Sequence, residues 1–316
     1  TGSFDYYYKK TNDILVQTPY IAAMGEGGEP WVNGASMNNQ GVEFTVSFKS
    51  DPSSEFQWAV SANIGTYKTE LTDLPSNVIN KYAGDGVHDL ILGRSPNSAY
   101  GLVADGIFKT QEEVDAHADQ PGKAVGRIRY KDLDGDGVIN ETYDRTWIGC
   151  YDPDFFGGLN FDFAYKGFDL NLFFEGMFGN DVNSDWKKES DIWLFTNPAW
   201  KNHATRMLGG WSPDNPNSDI PAISNNTANQ EQRFSSWFIE DGSYIKLRNI
   251  ELGYTFPTKL IKKMHMSNLR LYAAAYNVFT LKKFWGDDKY TSFDPERPSY
   301  HYLTPFTFNF GINVSF

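Results

Sequence analysis

The chain has 316 residues and a formal net charge of −12, a balance that argues against non-specific binding to nucleic acid. Its mean hydropathy is −0.50, and no apolar run reaches the roughly eighteen residues that a spanning helix needs. This excludes a transmembrane helix but not membrane-crossing strands, whose alternating side chains average to a polar score. In chain order, residues 3–18 read as a strand rich in Tyr and β-branched residues, with no signal peptide before it. The sequence therefore reads as one that does not start at a natural N-terminus. Residues 19–39 form a Gly- and Asn-containing loop. Residues 41–48 then alternate, with Val42, Phe44, Val46 and Phe48 against Glu43, Thr45 and Ser47. A short turn at 50–54 leads into residues 56–66, which alternate again.

A long non-alternating stretch, 70–152, holds a predicted short helix at 111–118 and an acidic loop. Two further strands, 155–165 and 168–178, meet at the tight turn Lys166-Gly167. A second long stretch, 181–241, is rich in Trp, Asn and Pro, with a helix predicted at 200–208. Strands at 243–256 and 269–280 follow, and a loop at 282–305 precedes the closing strand. There Phe306, Phe308, Phe310, Ile312, Val314 and Phe316 alternate with Thr307, Asn309, Gly311, Asn313 and Ser315. Such a strand has one apolar and one small, polar face. Its length suits a tilted membrane crossing.

Connections between these eight strands alternate between short and long. In an antiparallel meander this gathers compact turns at one end and every large loop at the other, the asymmetry of bacterial outer-membrane barrels. Aromatic residues, 16% of the chain, suit membrane-interface girdles or platforms for sugars. Loops of this size are out of scale with the rim of an eight-stranded barrel. The expected fold is therefore all-β, about eight antiparallel strands forming the C-terminal portion of a large transmembrane β-barrel. Residues 1–316 form one unit, with extracellular loops at about 19–39, 70–152, 181–241 and 282–305. Inward-facing Glu43, Asp162, Asp169, Asn171, Glu175 and Glu251 predict a polar, acidic lumen.

Asp132-Leu-Asp-Gly-Asp-Gly137 places carboxylates at loop positions one, three and five and Gly at six, as in the first half of a calcium loop. Val138 offers its carbonyl at position seven. Position twelve is Tyr143, and Asp144 is the carboxylate that stands in for the missing Glu. The expected metal ligands are thus Asp132, Asp134, Asp136, Val138 and Asp144, holding a structural Ca²⁺. The alternative is a solvated Asp-Gly turn. Trp186, Trp193, Trp200 and Trp211, all in the second long loop, either contact ligand or a lid protein or form that loop's own small core. The five histidines show no paired metal spacing and no Gly-x-Ser-x-Gly is present, so no catalytic residues are assigned. A single Cys150 leaves no disulfide framework.

An ordered set of stretches is similar to the SusC/RagA-type TonB-dependent outer-membrane transporters of Bacteroidetes. They include Asn38-Asn-Gln-Gly-Val-Glu43, Tyr100-Gly-Leu-Val-Ala-Asp-Gly-Ile-Phe108 and Gly126-Arg-Ile-Arg-Tyr-Lys-Asp-Leu-Asp-Gly-Asp-Gly137. Further along come Pro153-Asp-Phe-Phe-Gly-Gly158, Glu240-Asp-Gly-Ser-Tyr-Ile-Lys-Leu-Arg-Asn249, Asn277-Val-Phe279 and Asp294-Pro-Glu296. The resemblance implies a barrel of about 22 strands with an N-terminal plug, the plug lying outside this chain. It also implies a SusD-like surface lipoprotein as a lid, import powered through the TonB complex, and an oligosaccharide or peptide as ligand in the outer membrane. Phe316 then marks the signal read by the barrel-assembly machinery. The competing reading is a soluble or surface β module that binds calcium and carbohydrate. A third, a glycoside hydrolase, needs two carboxylates about 5 to 10 Å apart in a cleft.

Overall fold

The computed structural model of the chain describes residues 1–17, 30–76, 78, 89–192, 203–224, 228, 230–282, 290–299 and 302–316. Eight long strands dominate it: β1 (Gly2–Gln17), β2 (Trp31–Lys49), β3 (Phe56–Asp73), β4 (Phe155–Tyr165), β5 (Phe168–Phe178), β6 (Tyr244–Thr255), β7 (Asn268–Lys282) and β8 (Thr307–Ser315). They lie side by side in chain order as one antiparallel sheet. Among the described residues no helix is long and apolar enough to cross a membrane, which says nothing of strands.

Register makes the two faces of the sheet chemically distinct. One transverse row runs Trp58, Phe163, Leu170, Leu252, Ala273, Phe310 from β3 to β8. The neighbouring row, on the opposite face, runs Lys49, Ala59, Asp162, Asn171, Glu251, Ala274, Asn309 from β2 to β8. Because side chains alternate strictly along a strand, this pattern repeats along the sheet. Leu252 is 50% exposed and Phe310 78%, so the apolar face is not the inside of a sandwich. A wide exposed apolar band is costly in water and required of a wall that faces lipid.

Turn chemistry fixes the hairpins at the compact end. Lys166 and Gly167 both have positive φ, 48° and 88°, the geometry of a two-residue turn whose twist matches its strands. Their flanking strands occupy the sequence-predicted 155–165 and 168–178. The expected first loop, 19–39, needs correction, because β2 already begins at Trp31, and β3 runs on to Asp73. Residues 31–40 contain Gly34, Asn33, Asn38 and Asn39, poor strand formers read alone. Pairing with β1 on one side and, from Ser36 onward, with β3 on the other overrides that preference. Burial of Val16, Ala35, Leu71, Leu74, Val78 and Ile91 in one apolar cluster secures the extended ends. With 16, 19 and 18 residues, β1–β3 exceed the roughly 9 to 11 of a membrane crossing and stand clear of the sheet on the long-loop side.

The two longest loops fold into one body. Ser98–Leu102 pairs with Arg145–Cys150, and Ala104–Ile107 with Ile128–Tyr130, while Asp181–Asn183 of the second loop pairs with Ile239–Asp241. The predicted short helix spans Gln111–Ala116. Of the helix predicted at 200–208, residues 200–202 lie outside the described residues, and Thr205–Gly209 is a 3₁₀ turn. Leu102, Ile107, Ile128, Tyr130 and Ile139 from the first loop share a core with Ile192 and Phe238 from the second. Arg127 and Glu231 form a buried ion pair between the loops at 2.7 Å, side chains 6% and 5% exposed. The second Glu231 oxygen accepts the Ile128 N–H at 2.8 Å, so the pair is satisfied as burial demands.

Candidate functional site

Two groupings at the loop end and a third along the inner face of the sheet carry the chemistry. In the acidic loop the Asp132 carboxylate accepts the Gly135 and Gly137 amides at 2.7 and 2.9 Å. Asp134 accepts Asp136 N–H at 3.1 Å and Asp136 accepts Val138 N–H at 2.7 Å. This winding brings Asp132, Asp134 and Asp136 together, with one oxygen from each within 4.8 Å of the others. The slight burial of Asp132 opposes ionisation, but the Gly137 and Gly135 amides outweigh it and hold its pKa below the usual value. For Asp134 the balance goes the other way, up, because burial and the charges of Asp136 and Asp144 outweigh its backbone bond from Asp136.

Asp144 is fully buried. Its two oxygens accept the Leu133 and Asn140 amides, at 2.8 and 2.7 Å, so it clips the two ends of the loop together. Val138 lies beside Asp119 in a short bridge, and the next residue, Ile139, enters the shared loop core. The loop is therefore tied to the packed body rather than hanging free.

The second grouping is a cavity of about 1180 Å³ at the meeting of three connections, lined by Trp186, Lys187, Arg206, Trp237, Glu240 and Phe293 among others. Trp186 meets Phe293 edge-on at 4.8 Å. The Lys187 ammonium sits 4.7 Å from the centre of the Trp237 ring and 3.6 Å from Glu240. Burial pushes the Lys187 pKa down, opposed by the Glu240 charge. Behind it Arg206 pairs with buried Asp191 at 3.2 Å, whose pKa is raised by burial against the pull of Arg206. Of the predicted tryptophans, Trp186 lines the cavity, and Trp211 packs on the shared loop core against Gly126. Trp193 and Trp200 lie outside the described residues. Trp237, missed in the sequence, faces the cavity in the same role as Trp186.

The third grouping corrects the expectation of an acidic inner face. Arg270 bonds Asp169 and, at 2.7 Å, Glu251. Arg248 bonds Glu175 at 2.7 Å, and Lys246 bonds Asp294 at 2.6 Å. Both basic residues of β6 also bond Glu296. The inner wall is thus charge-paired along β5–β7. A bulge at Arg248, between the paired positions Leu247 and Asn249, lets β6 present this extra cation beside Glu175. Opposite it, Asn277 has φ 54°, a left-handed conformation that Asn tolerates better than most residues. Phe316 follows the last residue of β8 and is 88% exposed.

No protein-family model matches the chain. It is 30% identical over 332 residues to the TonB-dependent receptor P3 of Formosa agariphila, covering 99% of this chain and 32% of that protein. It is 26% identical over 329 residues to the TonB-dependent receptor SusC of Bacteroides thetaiotaomicron, covering 100% of this chain and 30% of that protein. Among solved structures, that of the RagAB peptide transporter superposes with a TM-score of 0.75 at 23% identity, covering 100% of this chain and 33% of that chain. Fold and faces define a portion of a large β-barrel wall with its loops gathered at one end. The resemblance to SusC/RagA-type TonB-dependent transporters holds over the whole chain, which spans about a third of the length of the curated relatives it matches.

Proposed function

We propose that the chain is the C-terminal barrel wall and loop rim of an outer-membrane importer of oligomeric nutrients, glycans or peptides. The carrying observation is the sheet itself, with an exposed apolar face, a polar charge-paired face and every large loop at one end. The names of the relatives, TonB-dependent receptors, support energised import, and the name RagAB peptide transporter supports peptides as one class of cargo. In this reading the long loops face outward, a SusD-like lipoprotein covers the mouth, and the TonB complex acts through a plug. The chain's own residues bind and guide. Trp186, with Trp193 and Trp200 in the same loop, is the contact for ligand or lid, while Trp211 serves that loop's own core, and the cavity supplies stacking rings beside fixed charges. Phe316 serves barrel assembly.

Alanine at Trp186 and Trp237 in the full-length protein, expressed in its own outer membrane, tests the site. Ligand or lid binding is expected to fall about tenfold or more, the scale of an aromatic anchor. Unchanged affinity with both rings removed would exclude the cavity as a contact surface.

The acidic loop fits Ca²⁺ by its donor chemistry, hard oxygens converging from Asp132, Asp134 and Asp136; in this reading the Val138 carbonyl and Asp144, whose oxygens also accept the Leu133 and Asn140 amides, are the further ligands. A bound ion would neutralise the converging carboxylates and stiffen the loop against the core that Ile139 enters. Calorimetry on the full-length protein should show Ca²⁺ binding that Asp134→Asn with Asp136→Asn abolishes. No heat of binding in the unsubstituted protein would sink the assignment.

A further inference from the structure

The apolar face of the sheet contains a gap. Ile64, Gly157, Gly176 and Ile245 stand side by side in a single row across β3, β4, β5 and β6. Both middle positions are glycines, which contribute no side chain of their own; Phe178 and Ile245 come within 3.0 and 3.5 Å of where a Gly176 Cβ would stand. Along the strands the gap is fenced by Phe155 and Phe178 on the loop side, their rings stacked at 4.8 Å. On the turn side Leu159 and Phe174 stand opposite each other. The result is an apolar notch of about 370 Å³ that opens on the outward face.

Gly157 has a backbone reason of its own, since a Cβ there would collide with the Asn63 carbonyl oxygen. That explains the glycine but not the unfilled volume. Ile64 stays 48% exposed and Phe155 37% instead of leaning in. A void left by neighbouring side chains forfeits their dispersion contacts unless something flexible supplies the missing atoms. The notch is continuous with the exposed apolar band, so its surroundings are acyl chains.

We propose that the notch seats one acyl chain of lipopolysaccharide, the outer-leaflet lipid. It lies at the third residue from the loop ends of β4 and β5, and the choice of leaflet rests on the orientation given under Proposed function. A flexible chain filling the gap gains apolar contact with Leu159, Phe161 and Phe174 without any polar partner.

Native mass spectrometry of the full-length protein, purified from outer membranes in mild detergent, reads the lipid retained per protomer. Ile64→Phe covers the notch from its rim and leaves both glycines alone; Gly176→Val fills its floor. Leu252→Val, on the same face but away from the notch, is the control. The unsubstituted protein and the control are expected to retain lipopolysaccharide. Both filling variants should bind it about tenfold more weakly, the effect of leaving two methylene groups unburied. Equal retention in Ile64→Phe overturns the proposal. Retention of phospholipid in place of lipopolysaccharide, lost on filling, overturns lipopolysaccharide as the occupant and leaves the reading as an importer standing. A dimer that dissociates on filling with no change in lipid overturns the proposal in favour of a second copy of the chain.

Discussion

Asp144 shows how a residue legible as a carboxylate in the sequence acquires a second task in three dimensions. The winding of Asp132, Asp134 and Asp136 was readable because its bonds are local, each spanning two to five residues. The clip made by Asp144 to Leu133 N–H was not, because ten residues intervene. Asp144→Asn replaces one acceptor by a donor that faces a backbone N–H. It should destabilise the loop by about 1 to 3 kcal/mol, visible as faster hydrogen exchange over residues 132–144; unchanged exchange would contradict the clip. Asp294 and Glu296 give a second residue-scale prediction. Burial pushes both carboxyls up, but Lys246, and for Glu296 also Arg248, outweigh it and hold both below their usual values. A carboxylate with a lowered folded pKa contributes stability above its unfolded value and loses it as pH falls through the folded one. Protection factors over residues 290–299 should be level near neutral pH and drop below the ordinary carboxylate range. Equal protection across that acid window would show that the ion pairs do not hold the segment.

At the scale of elements, the strands read best where alternation and turn chemistry agree. β4 and β5 have both, with Lys166-Gly167 between them. The start of β2 has neither, and its strand character comes from partners on both sides and from the apolar cluster around Ala35 and Leu71. The inner-face cations were missed for a similar reason. Lys246 and Arg248 sit on one strand, but their partner Glu296 is 50 and 48 residues away, and the bulge that admits Arg248 has no local signal. The two great loops are likewise joined by a pair no local pattern announces, Arg127 with Glu231, 104 residues apart. Removing either partner strands a buried charge, so Arg127→Met or Glu231→Gln should each cost about 3 to 5 kcal/mol of loop stability. The double variant should cost much less than their sum. A thermal-melt double-mutant cycle reads this, and strict additivity would show that the two residues are not coupled.

On the scale of the molecule, one sheet separates two media. Its apolar rows and polar rows alternate from β3 to β8, with a shift at the Arg248 bulge of β6, and neither face is buried as the core of a sandwich would be. This explains why a chain of mean hydropathy −0.50 has a membrane-facing surface. It also disfavours the soluble calcium- and carbohydrate-binding module, which would leave Phe308, Phe310 and Leu252 in water. The loop-end body, the cavity and the acidic loop all stand on the same side of that wall, which is why ligand capture is assigned there. The most direct measurement is a nitroxide scan through β8 of the full-length protein in its membrane, with Cys150 and any other native cysteine replaced by Ser and single cysteines introduced from residue 307 to 315. Spin labels at positions 308, 310, 312 and 314 are predicted to collide with lipid-soluble oxygen, and those at 307, 309, 311, 313 and 315 with a water-soluble nickel chelate, in strict alternation. Uniform access to the water-soluble reagent at every position would contradict the barrel-wall account.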